Sequence, residues 1–211
     1  EVEARTGTLR PRGNPVTLSQ PGGTNVTIEN GLISWDIWRF RARVDKRPGV
    51  VLSNIEARDG ERWRSVLYQA HLSEVFVPYM DPDEGWYWRT YMDSGEYGFG
   101  IFLSPLRAGV DCPAHATFLP AVVHTDEGAP LSIPDAICIF ERNIGDPAWR
   151  HFEIFAQSET EQVPAEGRPA TQLVVRSASE VGNYDYLVDY VFHQDGRLDV
   201  MEDVVDEVVD Y

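Results

Sequence analysis

Short segments rich in β-branched and aromatic residues recur at roughly ten-residue spacing, each closed by turn chemistry. That rhythm constrains the fold more than any other feature. Residues 32–38, 49–55, 63–68, 70–76, 98–103, 116–123, 136–140, 149–154, 172–177 and 186–193 read as strands. Between them lie turns such as Arg58-Asp59-Gly60, Pro82-Asp83-Glu84-Gly85, Asp126-Glu127-Gly128 and Gln194-Asp195-Gly196. The pattern predicts a mainly β protein, an antiparallel β-sandwich, with under about a fifth of its residues helical. Residues 157–169 lack aromatics and read as a long exposed loop. From Asp199 to Tyr211 there are six acids and no bases, with apolar pairs Val200/Met201, Val204/Val205 and Val208/Val209. A repeat of four suits a short amphipathic helix, and a solvated acidic tail is the plainer alternative. The expected organisation is therefore a β-sandwich domain over 1–198 and an acidic tail over 199–211.

Charge narrows the partners. With 18 Lys+Arg against 34 Asp+Glu the formal charge is −16, which argues against a nucleic-acid partner, because phosphate binding needs clustered cations. Cationic small molecules are favoured near such a surface. No apolar run approaches the ~18 residues of a membrane span, so no membrane partner is expected. The numbering starts at Glu1 rather than Met, consistent with a leader removed earlier.

Few residues advertise chemistry by themselves. Cys112 and Cys138 cannot make a zinc site alone. They either pair, closing a loop of about 26 residues and stabilising the fold by about 3.5 kcal/mol in the chain-entropy model, or remain two buried thiols. Asn25-Val26-Thr27 is a sequon after a Pro-Gly-Gly turn, so Asn25 is a candidate glycosylation site. His71, His115, His124, His151 and His193 lack the close spacing of most histidine metal sites and read as surface or hydrogen-bonded residues. Gly95-Glu96-Tyr97-Gly98-Phe99-Gly100 has the wrong glycine order for a phosphate loop and reads as a tight turn entering a strand. Asp93, in Tyr91-Met92-Asp93-Ser94, sits among large apolar and aromatic neighbours. It is either a general base or a cap for the Ser94-Gly95 turn. Gly182-Asn183-Tyr184-Asp185-Tyr186 by itself is a turn followed by a strand with alternating faces.

Together these two clusters say more. Asn183-Tyr184-Asp185-Tyr186, with Val181-Gly182 before it and Phe192-His193-Gln194-Asp195-Gly196 after it, resembles the topaquinone motif of the copper amine oxidases. Tyr91-Met92-Asp93-Ser94-Gly95-Glu96-Tyr97-Gly98 is similar to that family's catalytic-base motif. Arg47-Pro48-Gly49-Val50-Val51-Leu52, Leu72-Ser73-Glu74-Val75-Phe76-Val77-Pro78-Tyr79, Asp111-Cys112 and Ala136-Ile137-Cys138 extend the likeness, as do residues 35–40. It runs from about Pro15 to Leu198, across the first half of the family's large catalytic domain (its supersandwich). The resemblance implies that Tyr184 matches the tyrosine converted to topaquinone and that Asp93 matches the base removing the α-proton of the substrate Schiff base. It also implies that Tyr91 falls at an aromatic channel gate, Tyr79 hydrogen-bonds the quinone oxygen, Asn183 precedes the cofactor position, and Cys112–Cys138 is a disulfide. A disulfide and the sequon imply a secreted protein or one of the secretory pathway.

The likeness has departures. The family places a His-x-His copper pair after the cofactor tyrosine and a third copper histidine much further on, whereas here no His follows His193. The expectation is accordingly an amine-oxidase-like protein without copper or redox turnover in this chain, metal ligands none, and Tyr184 unmodified. The alternative is a copper-free enzyme of the same fold, an isomerase, cyclase or lyase using Asp93 as base, or a binding-only pseudoenzyme. The family's Cys-Ile-His-Glu stretch reads Cys138-Ile139-Phe140-Glu141, which removes a polar group expected on the pocket side. The partners expected are a small organic molecule, an amine foremost, and a second copy in a homodimer that covers open sheet edges.

Overall fold

The computed structural model describes residues 13–152 and 166–206. The chain opens with β1 (Thr27–Glu29), β2 (Leu32–Trp35), β3 (Trp38–Asp45), β4 (Gly49–Asp59) and β5 (Arg62–His71), which form one antiparallel sheet in that order. A small hairpin follows, β6 (Phe76–Pro78) with β7 (Thr90–Met92), and then a π-helical turn at Asp93–Tyr97. The second sheet is a meander of β8 (Thr117–His124), β9 (Pro130–His151), β10 (Glu166–Val181), β11 (Tyr184–His193) and β12 (Leu198–Asp206). The expected antiparallel sandwich is the fold.

One shared core joins the sheets. Trp38, Phe40, Leu52 and Ile55 of the first pack with Ile137, Leu173, Val188 and Phe192 of the second. Phe192 stacks on Phe40 at 4.3 Å between ring centroids and meets the Trp38 edge at 5.3 Å. Such ring pairs add to what area burial already contributes. Cys112 and Cys138 are disulfide-bonded and lie in a smaller apolar cluster with Leu106, Phe140, Val174 and Val191.

Several local expectations change. Residues 32–38 divide into β2 and β3 across a turn at Asp36-Ile37, with Asp36 left-handed at φ 48°, and 136–140 and 149–151 belong to one strand, β9. Residues 70–76 are not one strand: β5 continues to His71, and a new strand starts only at Phe76. Residues 98–102 are not a strand and Leu103 makes only a single bridge to Ser179, because Phe99 and Ile101 spend their N–H groups on the β3–β4 turn. Phe99 N donates to Arg47 O at 2.7 Å and Ile101 N to Lys46 O at 3.0 Å. At Gly100 a Cβ would lie 1.8 Å from Asp45 O, so this close approach requires glycine. The loop expected over 157–169 ends sooner, since Glu166 already begins β10; residues 157–165 lie outside the described residues.

The last change is the tail. Over 198–206 it is strand β12, not a helix, hydrogen-bonded in register along β11 from Leu198↔Phe192 to Asp206↔Tyr184. The Asp195-Gly196 turn returns the chain onto an open edge, and a ladder of backbone bonds outweighs a weak helical periodicity. Residues 207–211 lie outside the described residues.

Candidate functional site

The β6–β7 hairpin, the π-turn and the β10–β11 hairpin converge on one cleft of about 330 Å³. Its lining includes Tyr79, Trp86, Tyr91, Asp93, Asn183 and Tyr184. Every residue singled out as catalytic from the sequence is therefore at one place, although Asp93 and Tyr184 are far apart in the chain. The size suits a small organic molecule.

Asp93 is held from several sides. Its N–H donates to Val75 O at 3.0 Å, and Ser94 Oγ donates to Arg47 O at 3.3 Å. The carboxylate that caps the following turn belongs to Glu74, whose Oε1 accepts from Ser94 N and Gly95 N, both at 3.0 Å. Burial pushes the Glu74 carboxyl up, but the N–H groups of Gly95, Val75 and Ser94 outweigh it and hold it below its ordinary value. Asp93 is thus released from the capping role. The residue is 5% exposed, and its Oδ2 accepts from the Tyr186 hydroxyl.

Gly182 and Asn183 make the two-residue loop of the β10–β11 hairpin, with Gly182 left-handed at φ 65°. The next residue, Tyr184, therefore leaves a rigid turn. The Tyr79 hydroxyl donates to the Tyr184 hydroxyl at 3.3 Å. That bond, burial and the Asp93 charge push the Tyr79 phenol up to about 12. Tyr79 also stands 5.7 Å from the Tyr91 ring and 5.2 Å from Trp86. Arg89 lies over Trp86 at 4.1 Å, so this aromatic wall already holds one cation against a ring face. A protonated amine finds rings and a carboxylate in the same cleft.

Two participants were not singled out from the sequence. Tyr186 reads as an ordinary strand residue, yet it is buried against Phe99 at 5.0 Å and donates to Asp93. Burial, the bond to Asp93 and the Asp93 charge push its phenol far up, so it stays a donor at any physiological pH. Glu202, hidden in the acidic tail, comes from the edge strand β12. The one available signal was the Tyr-Asp-Tyr alternation, which puts Tyr184 and Tyr186 on the same sheet face.

The Phe140 expectation is corrected. Phe140 packs beside the disulfide with Leu106 and Val174, away from the Asp93 cleft. The neighbouring Glu141 faces the Gln20–Trp35 region instead, accepting from Trp35 Nε1 and Asn25 N at 2.8 Å each. The five histidines do not converge, and among the described residues no group of three or more His, Cys, Asp or Glu is placed to hold a metal.

The family model for copper amine oxidase, enzyme domain, matches residues 27–204. The chain belongs to the copper amine oxidase family. Copper-containing amine oxidase gamma 1 of Arabidopsis thaliana is 44% identical over 193 residues, covering 90% of this chain and 26% of that protein. The primary amine oxidase of Klebsiella aerogenes is 40% identical over 190 residues, covering 90% and 24%. Among solved structures, Aspergillus nidulans amine oxidase superposes with a TM-score of 0.78 at 28% identity, over 95% of this chain and 26% of that one. A copper-containing benzylamine oxidase from Hansenula polymorpha shares the fold with a TM-score of 0.81 at 24% identity, over 95% and 30%. The chain spans about a quarter of the length of the curated relatives it matches.

Proposed function

We propose that the cleft is the cofactor-and-base half of an amine oxidase site. Tyr184 takes the position of the tyrosine that becomes topaquinone, and Asp93 is the base. The observation that carries this reading is the convergence of Tyr79, Asp93 and Tyr184 on one cleft, with Tyr79 bonded to Tyr184 and Asp93 bonded to Tyr186. The surroundings of Tyr184 fit a tyrosine-derived quinone, since a hydroxyl already meets its phenolic oxygen. When present, that group supplies a carbonyl able to take a primary amine covalently. Copper does not fit the described residues, which offer no ligand set, so no step is derived through the metal. The chain's own residues orient the amine against the Tyr79–Tyr91–Trp86 wall and place Asp93 to accept a proton from the carbon next to the nitrogen.

Trapping with an aryl hydrazine tests this assignment. The protein treated with an aryl hydrazine should yield an adduct on the Tyr184 peptide. Recovery of that peptide as plain tyrosine overturns the redox assignment. It leaves the second reading, a copper-free enzyme moving a proton without oxidation. A secretory route belongs to the same proposal, supported by the Cys112–Cys138 bond and the exposed sequon. Asn25 Nδ2 donates to Glu141 at 2.8 Å, and a glycan there leaves one N–H for that bond. An Asn25 peptide whose mass is unchanged by glycosidase in secreted material would remove that support.

A further inference from the structure

Strand β12 carries the chain's least expected site contribution. Its register sets Glu202 opposite Val188 and Val204 opposite Tyr186, so Glu202 shares a sheet face with Tyr186. A diagonal neighbour on that ladder is roughly 7–8 Å away at the backbone, within reach of a glutamate side chain. On either side of it Val200 and Val204 are 50% and 52% exposed, yet Glu202 turns inward. Its Oε1 is sealed from solvent and has no hydrogen-bond partner. A charged carboxylate left so is far more costly than a neutral acid.

The rest of the neighbourhood repels a second negative charge. On this face Tyr186 is the diagonal neighbour, its hydroxyl is bonded to Asp93 from the π-turn, and Asp93 in turn lines the cleft with Tyr79, Tyr91 and Tyr184. Glu74 lies behind the turn, and its Arg47 neighbour is paired with it at 3.2 Å. Asp203, next on β12, belongs to the opposite face, where its charge acts on Arg176.

We propose that Glu202 is a positioning residue for Asp93: a second carboxyl on the Tyr186 face of the sheet that keeps its proton and so leaves the Tyr186–Asp93 bond undisturbed. The inference rests on Asp93 being the base, as proposed above. Burial first, and the Asp93 charge second, push the Glu202 carboxyl above its ordinary value, in agreement with this role. The folded protein thus binds this proton more tightly than the unfolded chain does. Glu202's contribution to stability is complete below the ordinary 4.5 and is lost as pH rises through the folded value.

Carboxyl-carbon NMR of the chain labelled at Asp and Glu reads this directly and needs no amine turnover. In wild type, Glu202 should titrate above an ordinary glutamate, and the Asp93 signal should show a displacement at that same pH. In Glu202→Gln the displacement should vanish, and in Asp93→Asn the Glu202 midpoint should fall. Urea unfolding should show Glu202→Gln gaining stability over wild type with rising pH and not at acid pH. A Glu202 that titrates as an ordinary glutamate in wild type and in Asp93→Asn alike overturns the proposal, even if a variant fails to fold. A coupled pair in a protein whose amine binding ignores Asp93→Asn instead overturns the amine-site reading and leaves the pair intact.

Discussion

Replacing Asp93 by Asn should lower amine turnover by roughly 10²-fold or more while the fold stays near wild type. Asparagine keeps a carbonyl oxygen to accept from the Tyr186 hydroxyl, and the turn is capped by Glu74 rather than by Asp93. What the variant loses is a basic oxygen in the cleft. A carboxylate 5% exposed, held by one phenol and set against aromatic rings, is ordered before substrate arrives, which is the condition for efficient proton transfer. Steady-state kinetics with a primary amine, alongside denaturant unfolding, separates lost chemistry from lost structure. Turnover at the wild-type rate would show that Asp93 is not the base.

Glu141→Ala should destabilise the fold by about 1–3 kcal/mol, because it leaves buried donors without an acceptor. Glu141 is 6% exposed and gathers donors from a distant stretch of chain: Trp35 Nε1 at 2.8 Å, Asn25 N and Nδ2 at 2.8 Å each, and Gln20 Nε2 at 2.5 Å. Alanine leaves the buried Trp35 indole N–H without an acceptor and unfastens the Gln20–Asn25 segment from the second sheet. Burial pushes this carboxyl up, but the bonds from Asn25, Gln20 and Trp35 outweigh it and hold it below the ordinary 4.5. Its stabilisation is therefore complete above the ordinary carboxylate range and fades as pH falls through the lower, folded value. Urea unfolding followed by tryptophan fluorescence should show both the loss at neutral pH and a weaker acid dependence. A loss under about 1 kcal/mol would mean the clasp is dispensable.

Much of the fold was legible because its hairpins are written locally. Arg58-Asp59-Gly60, Asp126-Glu127-Gly128 and Gln194-Asp195-Gly196 each join two neighbouring strands of a meander, so sequence order and spatial order coincide. The misreadings occur where distant contacts decide. Residues 98–103 have strand composition, but Phe99 and Ile101 spend their N–H groups on the β3–β4 turn. The acidic tail has helical spacing but meets an open edge of β11. Composition registers neither event.

The site divides the same way. Tyr79, Tyr91, Asp93, Asn183 and Tyr184 were legible as motif residues, and the cleft holds them all. Tyr186, Glu202 and the clasp on Glu141 were not, because each role depends on which residue stands opposite across a ladder or between sheets. The Glu74 cap was likewise invisible: a carboxylate whose partners lie some twenty residues later leaves no local pattern.

Binding of benzylamine to the chain, followed through the tyrosine ring signals by NMR, tests the central claim without copper or turnover. Tyr79, Tyr91 and Tyr184 should shift together in wild type, and the saturation should weaken at least tenfold in Asp93→Asn, about 1.4 kcal/mol of binding. Shifts that fall on other tyrosines, or an affinity that Asp93→Asn leaves unchanged, would contradict the assignment of this cleft as an amine site.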